Sequence, residues 1–383
     1  MARVNPTKLL VLHVPAGGGH KAAARAIAEA AAARGVEAEV VDALELTPPW
    51  FARAYVGAHL QSTERAPAFY GQGYHALDQR HPLVDGVRGT FDRVAGARLL
   101  SYVAERRPAA IVATHFFPLE ILGHARLAAA RSPRRAPVPP VVGVVTDYAA
   151  HAFWAEPGVD RFCAPAGRAA RDLVRHGVSA DAVVATGIPI RPAFGAVPSL
   201  VAPAPGQPCE VLVTSGGFGV GPMAAVIRSF AGIPSMRLTV VCGDNPQRVA
   251  EAQRTAAEAG VSAEVVGFER DMARRMAAAH VLVGKPGGLT VSESLAAGRP
   301  MILVGACPGQ EMRNQEWLLD QGAAVAAEAT SAGPAAALLR DEGRLGLLAE
   351  AARSLAAPRA AERVVDVALR LVDGAMRPVP MAA

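Results

Sequence analysis

Short apolar runs rich in Val, Ile and Leu recur along this chain, with helical stretches between most of them. The first half carries KLLVLHV, AEVVDAL, AAIVATH, VVGVVTD, RFCAPA and AVVATG, and the second carries EVLVTSG, RLTVVCG, AEVVGF, HVLVG and PMILVG. Parallel neighbours need a crossover between them, so repeated strand–helix alternation closes as parallel sheets with helices on both faces. Between the halves lies PAFGAVPSLVAPAPGQP, residues 192–208, whose prolines and lack of periodicity mark an interdomain linker. The pattern predicts an α/β chain with two doubly wound, Rossmann-like domains, residues 1–195 and 196–355, and a C-terminal helix in 356–383 packing back toward the first domain. Ligands of such sheets sit beyond the carboxyl ends of the strands, so two facing domains would enclose a cleft there.

Two glycine loops lie at predicted strand ends. In VPAGGGHKAAARAIAEA, residues 14–30, Gly18 and Gly19 open a helix whose free N–H groups and dipole suit an anion such as a diphosphate. Gly17, Gly19 and Ala22 also fit the dinucleotide pattern G-x-G-x-x-A, with Asp42 where a ribose-binding acid would stand, so a nicotinamide dehydrogenase is one reading. It leaves the second loop unexplained. In the second half TSGGFGVGP, with Pro222 at a helix start, and Lys285-Pro286-Gly287-Gly288, with a helix from about Thr290, form a cradle for a diphosphate. Glu293 has two readings. It completes a capping box with Thr290, or it is a carboxylate inside a phosphate-binding helix that accepts both ribose hydroxyls of a nucleotide.

Composition excludes several classes. The chain has 383 residues, 51% hydrophobic and 19% charged, enough for two cores. Cys163, Cys209, Cys242 and Cys307 lie far apart without a C-x-x-C pair, which argues against a zinc site or a disulfide frame and for a reducing, cytoplasmic setting. The N-terminal apolar run leads straight into the glycine loop, as a first strand rather than a signal peptide. No apolar stretch nears the roughly 20 residues that span a bilayer. The formal charge is +5, with Arg126, Arg131, Arg134 and Arg135 in a Pro-rich stretch, read as a mobile loop, that has no acid. Nucleic acid is not expected, since there is no recognition-module pattern and few aromatics. A solvated linker or contact with an anionic membrane surface both fit. Residues 48–75 gather Trp50, Phe51, Tyr55, Phe69, Tyr70 and Tyr74, a cluster suited to a lipid interface or to a helix packed on the first domain.

The stretches GKPGGLTVSESLAAGRPMIL and PGQEMRNQEWLLDQGAA, the opening AGGGHKAAARAI, and the mid-chain VVTDYAAHAFWAEPGVDRFCAP with VVATGIPIRPAF resemble the family of monogalactosyldiacylglycerol synthase and the processive diacylglycerol glucosyltransferases. The resemblance runs from about residue 8 to about 355. It implies the GT-B fold and transfer of a hexose from a UDP-sugar to 1,2-diacylglycerol, with inversion at the anomeric carbon. It further implies that Glu293 holds the uridine ribose, Gln310 and Glu311 the hexose hydroxyls, and Gly287, Gly288 and Leu289, flanked by Pro286 and Thr290, the phosphates. Ser215, Gly216 and Gly217 would line the same pocket, with Asn245 near the nucleotide and Phe268 by the uracil. His20 is the implied catalytic base, with Asp147 and His151 in TDYAAH as the next candidates. No D-x-D metal pair occurs anywhere, so no metal and no other cofactor is expected, with loop N–H groups and helix dipoles stabilising the leaving UDP. The expected setting is peripheral, at the cytoplasmic face of the membrane. The alternatives are a transferase with a polyprenol-linked or other glycolipid acceptor, and a non-catalytic UDP-sugar sensor.

Overall fold

The computed structural model describes residues 8–15, 17–55, 57, 78, 96–132, 134–204, 206–214 and 221–374. The chain divides into two compact units. Unit 1 runs to Ile190 and takes up the chain again from Arg359, while unit 2 is Arg191–Pro358. Unit 1 holds β1 (Lys8–His13), α1 (Gly18–Ala32), β2 (Glu37–Asp42), α2 (Ala97–Arg106), β3 (Ala110–Ala113), α3 (Phe116–Ala130), β4 (Val141–Val144), β5 (Arg161–Ala164), α4 (Gly167–Arg175) and β6 (Val183–Ala185). Unit 2 holds β7 (Cys209–Thr214), α5 (Met223–Arg228), β8 (Met236–Val241), α6 (Pro246–Glu258), β9 (Ala263–Val266), α7 (Met272–Ala278), β10 (Val281–Gly284), α8 (Gly288–Ala297), β11 (Met301–Leu303), α9 (Gln310–Asp320), β12 (Ala324–Ala326), α10 (Ala332–Asp341) and α11 (Leu345–Ser354). The last helix, α12 (Ala360–Val372), belongs to unit 1.

Each unit is built on one parallel six-stranded sheet, ordered β2-β1-β3-β4-β5-β6 in unit 1 and β12-β11-β10-β7-β8-β9 in unit 2. Both faces of sheet 1 are covered, which is why its strands read as continuous apolar runs. Leu10 and Leu12 point to one face, packing with Leu99, Phe117 and Leu122, while Leu9 and Val11 meet Ala24 and Ile27 of α1 and Val364 and Val365 of α12 on the other. In unit 2 Val211, Val213, Val281, Val283 and Ile302 share one core with Ile227 and Phe230.

The topology fixes where ligands can bind. In sheet 1 the chain order reverses between β1 and β3, and in sheet 2 between β7 and β10. At such a reversal the loops leaving the two strands diverge and open a crevice at the carboxyl ends. His20 follows β1, and the Lys285–Gly288 loop follows β10.

The expected linker is largely part of unit 2. Pro192–Phe194 form a 3-10 turn, Phe194 and Val197 are buried, and Arg353 and Arg299 donate to the carbonyls of Val197 (2.8 Å) and Pro198 (3.1 Å). Prolines here set turns against a packed surface rather than a free tether. The basic stretch is also more structured than expected: α3 extends to Ala130, and Arg126 pairs with buried Asp160 at 2.7 Å while donating to Val138 and Pro139 carbonyls. Only Arg131, Arg134 and Arg135 of the four remain exposed. No helix among the described residues is long and apolar enough to cross a membrane.

Candidate active site

In unit 2, loops after three neighbouring strands converge at the carboxyl edge of the sheet. A Cβ on Gly305, after β11, would meet Pro222 at 2.8 Å, and one on Gly221 would lie 3.7 Å from the Lys285 side chain, after β10. Two of the helices that begin here, α8 and α9, have glycine N-caps, Gly287 and Gly309, with no side-chain cap. The N–H groups of a first helical turn have no partner within the helix, so these ends are built to face an anion. Pro286, Gly287, Gly288, Leu289 and Thr290 all lie in or beside the start of α8.

The helix begins two residues earlier than the sequence predicts, and this decides between the readings of Glu293. A capping box needs Thr290 at the N-cap, but Thr290 is the third residue of α8 and Gly287 is the cap. Glu293 is thereby released from any capping duty. It is half-buried, enters no hydrogen bond or ion pair among the described residues, and burial, opposed by the charge of Arg191, pushes its carboxyl up to about 8.

The second acidic residue is tied down instead. The Glu311 carboxylate accepts from the Cys307 backbone N–H at 2.7 Å and lies 3.4 Å from Lys285 Nζ, which joins the start of α9 to the loop after β10. Asn314, fully buried, donates from Nδ2 to the Pro286 carbonyl at 3.0 Å and fastens the same two segments. Gln310 is the first residue of α9. Asn245 caps α6, accepting from the N–H groups of Gln247 (3.0 Å) and Arg248 (3.3 Å), so its side-chain oxygen is already engaged. Phe268, just after β9, is 56% exposed, an aromatic face open to stacking. Ser215, Gly216 and Gly217 lie outside the described residues.

In unit 1 His20 is the third residue of α1, after Gly18 and Gly19, and stands at the reversal of sheet 1. Its Nδ1 lies 2.7 Å from the Thr114 carbonyl, at the end of β3. A carbonyl oxygen can only accept, so the Nδ1 proton is required and Nε2 carries the lone pair, the tautomer a general base needs. Thr146 Oγ1 lies 3.1 Å from the same Nδ1, Thr114 Oγ1 donates to the His20 carbonyl at 3.0 Å, and the His115 ring stands edge-on at 4.7 Å. Thr114, His115 and Thr146 were not singled out by sequence; the available signal was their place at the ends of β3 and β4, beside the reversal.

The other two base candidates differ from His20 and from each other. Asp147 is half-buried in the bend after Thr146. His151 is only 4% exposed; its Nδ1 accepts from the Phe153 N–H at 3.2 Å and its Nε2 lies 3.8 Å from Asp78. Its Nδ1 is therefore committed to capping the short turn that follows. Asp42, the acid that a dinucleotide reading needs, accepts from the Leu44 N–H at 2.9 Å and sets the turn after β2.

The aromatic segment splits. Phe51 and Tyr55, in a helical stretch over residues 49–55, turn inward onto Phe117, with ring centroids 5.4 and 5.5 Å away. Trp50 is 54% exposed. Phe69, Tyr70 and Tyr74 lie outside the described residues.

Two parallel doubly wound units, the second with glycine-capped helix starts at the carboxyl edge of its sheet, are the GT-B fold. Acinetobacter baumannii MurG shares this fold, with a TM-score of 0.62 at 18% identity over 95% of this chain and 100% of that one. Residues 20–190 match the monogalactosyldiacylglycerol (MGDG) synthase family and residues 211–339 the glycosyltransferase family 28 C-terminal domain. Together the two matches run along most of the chain, which is similar to monogalactosyldiacylglycerol synthase in its first half and to family 28 glycosyltransferases in its second. A processive diacylglycerol beta-glucosyltransferase of Bacillus mycoides is 31% identical over 60% of this chain and 61% of its own length. One of Bacillus cereus is 26% identical over 98% of this chain and 97% of its own. The first alignment thus spans less than two thirds of the relative it matches.

Proposed function

We propose that this chain moves a hexose from a UDP-sugar to the free hydroxyl of 1,2-diacylglycerol, with inversion at the anomeric carbon and without a metal ion. The observation that carries the reading is Glu293: a half-buried carboxylate with no hydrogen bond or ion pair among the described residues, in the second turn of the helix whose uncapped start follows β10. A buried acid is retained at a cost only where something else uses it, and a ribose offers two hydroxyl donors. Phe268 gives the uracil a face to stack on, and Gln310 and Glu311 lie at the second helix start for the hexose hydroxyls. The match to the family and the names of the Bacillus relatives support diacylglycerol as acceptor.

The chemistry follows from the groups present. The acceptor hydroxyl gives its proton to Nε2 of His20 while its oxygen bonds to the anomeric carbon. The bond from that carbon to the UDP oxygen breaks on the opposite face, and UDP leaves with the electron pair. Charge on the leaving diphosphate is met by first-turn N–H groups and the positive end of α8, and the missing D-x-D supports a mechanism without a cation. Trp50 and the exposed arginines 131, 134 and 135 support peripheral binding at the cytoplasmic membrane face, where this acceptor would be found.

The test is a panel of labelled UDP-glucose and UDP-galactose against dioleoylglycerol and polyprenol-linked lipids in detergent. Hexosyl-diacylglycerol as the product is the expected result. Product only on polyprenol lipids would move the acceptor, and UDP binding without any transfer would make the chain a sensor.

A further inference from the structure

We infer that Thr146, just beyond β4, is a positioning residue for proton transfer: its hydroxyl shares the Nδ1 proton of His20 with the Thr114 carbonyl and holds the ring in one tautomer and one orientation. The inference rests on the reading of His20 as the base. The Thr146 hydroxyl lies 3.1 Å from Nδ1 and the carbonyl 2.7 Å, so the single proton is bifurcated between two oxygens. Thr146 is buried, at the end of the apolar run Val-Val-Gly-Val-Val, where a valine of the same shape would pack as well. A buried hydroxyl in that place costs free energy unless it is bonded, and here it meets the His20 ring.

The arrangement does the work that a carboxylate does behind many catalytic histidines, with neutral oxygens in its place. Two acceptors on Nδ1 select one tautomer, fix the ring plane and, once Nε2 takes the acceptor's proton, stabilise the imidazolium through its more polar Nδ1–H. Three other titratable groups are close by along the chain or in space. His115 stands edge-on to His20 from the start of α3, its own Nδ1 accepting from the Phe117 N–H at 3.1 Å so that its proton is on Nε2. Asp147 follows Thr146, and Lys21 follows His20 on α1.

The experiment compares Thr146→Val and Thr146→Ser in turnover of the UDP-hexose on detergent-dispersed dioleoylglycerol, and in the imidazole nitrogen NMR spectrum of ¹⁵N-histidine-labelled protein. Thr146→Val should lower kcat about tenfold, the size of one hydrogen bond to a charged ring, and leave the affinity for UDP unchanged. Removing an acceptor disfavours the charged ring, so the acidic limb of the kcat profile should move to lower pH. Thr146→Ser should restore both. In the spectrum, native His20 should show a protonated Nδ1, and the valine variant should lose that single tautomer. Wild-type kcat and limb in Thr146→Val, or an equal loss in the serine variant, would overturn the proposal. His20→Ala with undiminished kcat would remove the base assignment instead, while the NMR readout would still report whether Thr146 holds the ring.

Discussion

Replacing Glu293 with glutamine separates a ligand-binding carboxylate from a structural one, because the two roles move binding and stability in opposite directions. The carboxyl is pushed up to about 8 from an ordinary 4.5 by burial, with Arg191 opposing. If the ionised form accepts the ribose hydroxyls, the apparent affinity falls by the fraction of protein that is protonated, so it should rise about tenfold per pH unit below 8 and level off above it. Between about pH 6 and pH 8 the gain is roughly 50-fold. Uridine is the better titrant, since it lacks the ionising phosphates of UDP, and calorimetry across that range reads the slope. Glu293→Gln should bind uridine weakly and with no slope. Stability runs the other way. A folded value above the unfolded one means that the neutral form is favoured by folding, so this contribution is fully present below pH 4.5 and is lost as pH rises through about 8. The cost in the ionised state is on the order of 3–5 kcal/mol before solvent tempers it at this half-buried position. Melting curves at about pH 8.5 should therefore place Glu293→Gln several degrees above the native chain, with the gap closing toward pH 5. A pH-independent affinity for uridine, together with a lower melting temperature in the variant, would refute the argument and make Glu293 a structural residue.

His20→Ala should lower kcat by roughly 10²–10⁴-fold, the usual range for loss of a general base, while UDP affinity by calorimetry stays near native; weakened UDP binding with kcat intact would make His20 a phosphate contact. Activity on a detergent-dispersed acceptor should survive EDTA, and a loss that Mg²⁺ restores would reveal a metal site. Trp50→Ser combined with Arg131→Ser, Arg134→Ser and Arg135→Ser should release the protein from phosphatidylserine vesicles in a flotation assay, each arginine contributing about 1 kcal/mol at low salt. Unchanged flotation would move the membrane contact elsewhere.

The sheets were legible because parallel strands buried on both faces read as short continuous apolar runs, and eleven of these stand out in the sequence. Strand β12 was not: Ala-Val-Ala at a sheet edge carries too little apolar surface to announce itself, and its pairing with β11 holds it in place. The start of α8 was misread because Gly287 and Gly288 are weak helix formers, so local propensity points to Thr290. Tertiary packing overrides it, as buried Asn314 fastens Pro286 just ahead of the helix. At the site, glycine loops and the residues beside them could be read from spacing. Thr114 and Thr146 could not, since His20 meets them 94 and 126 positions further along the chain and nothing local marks them. His151 shows the reverse limit: a histidine in a loop reads as exposed, yet this one is buried with its Nδ1 capping the next turn.

The return of α12 to unit 1 makes that unit discontinuous, and this bears on how the chain is made. Unit 2 is a single uninterrupted stretch from Arg191 to Pro358, complete in itself once it has been synthesised. Unit 1 is begun first but lacks part of the cover on one side of its sheet until Val364, Val365, Ala368 and Leu371 emerge and settle beside Ala24 and Ile27. Arg34 on one side and Asp366 and Glu362 on the other then clasp the two helices. The half of the protein that carries His20 is thus complete only when α12 is in place, and a chain truncated near residue 358 would expose part of an apolar sheet face.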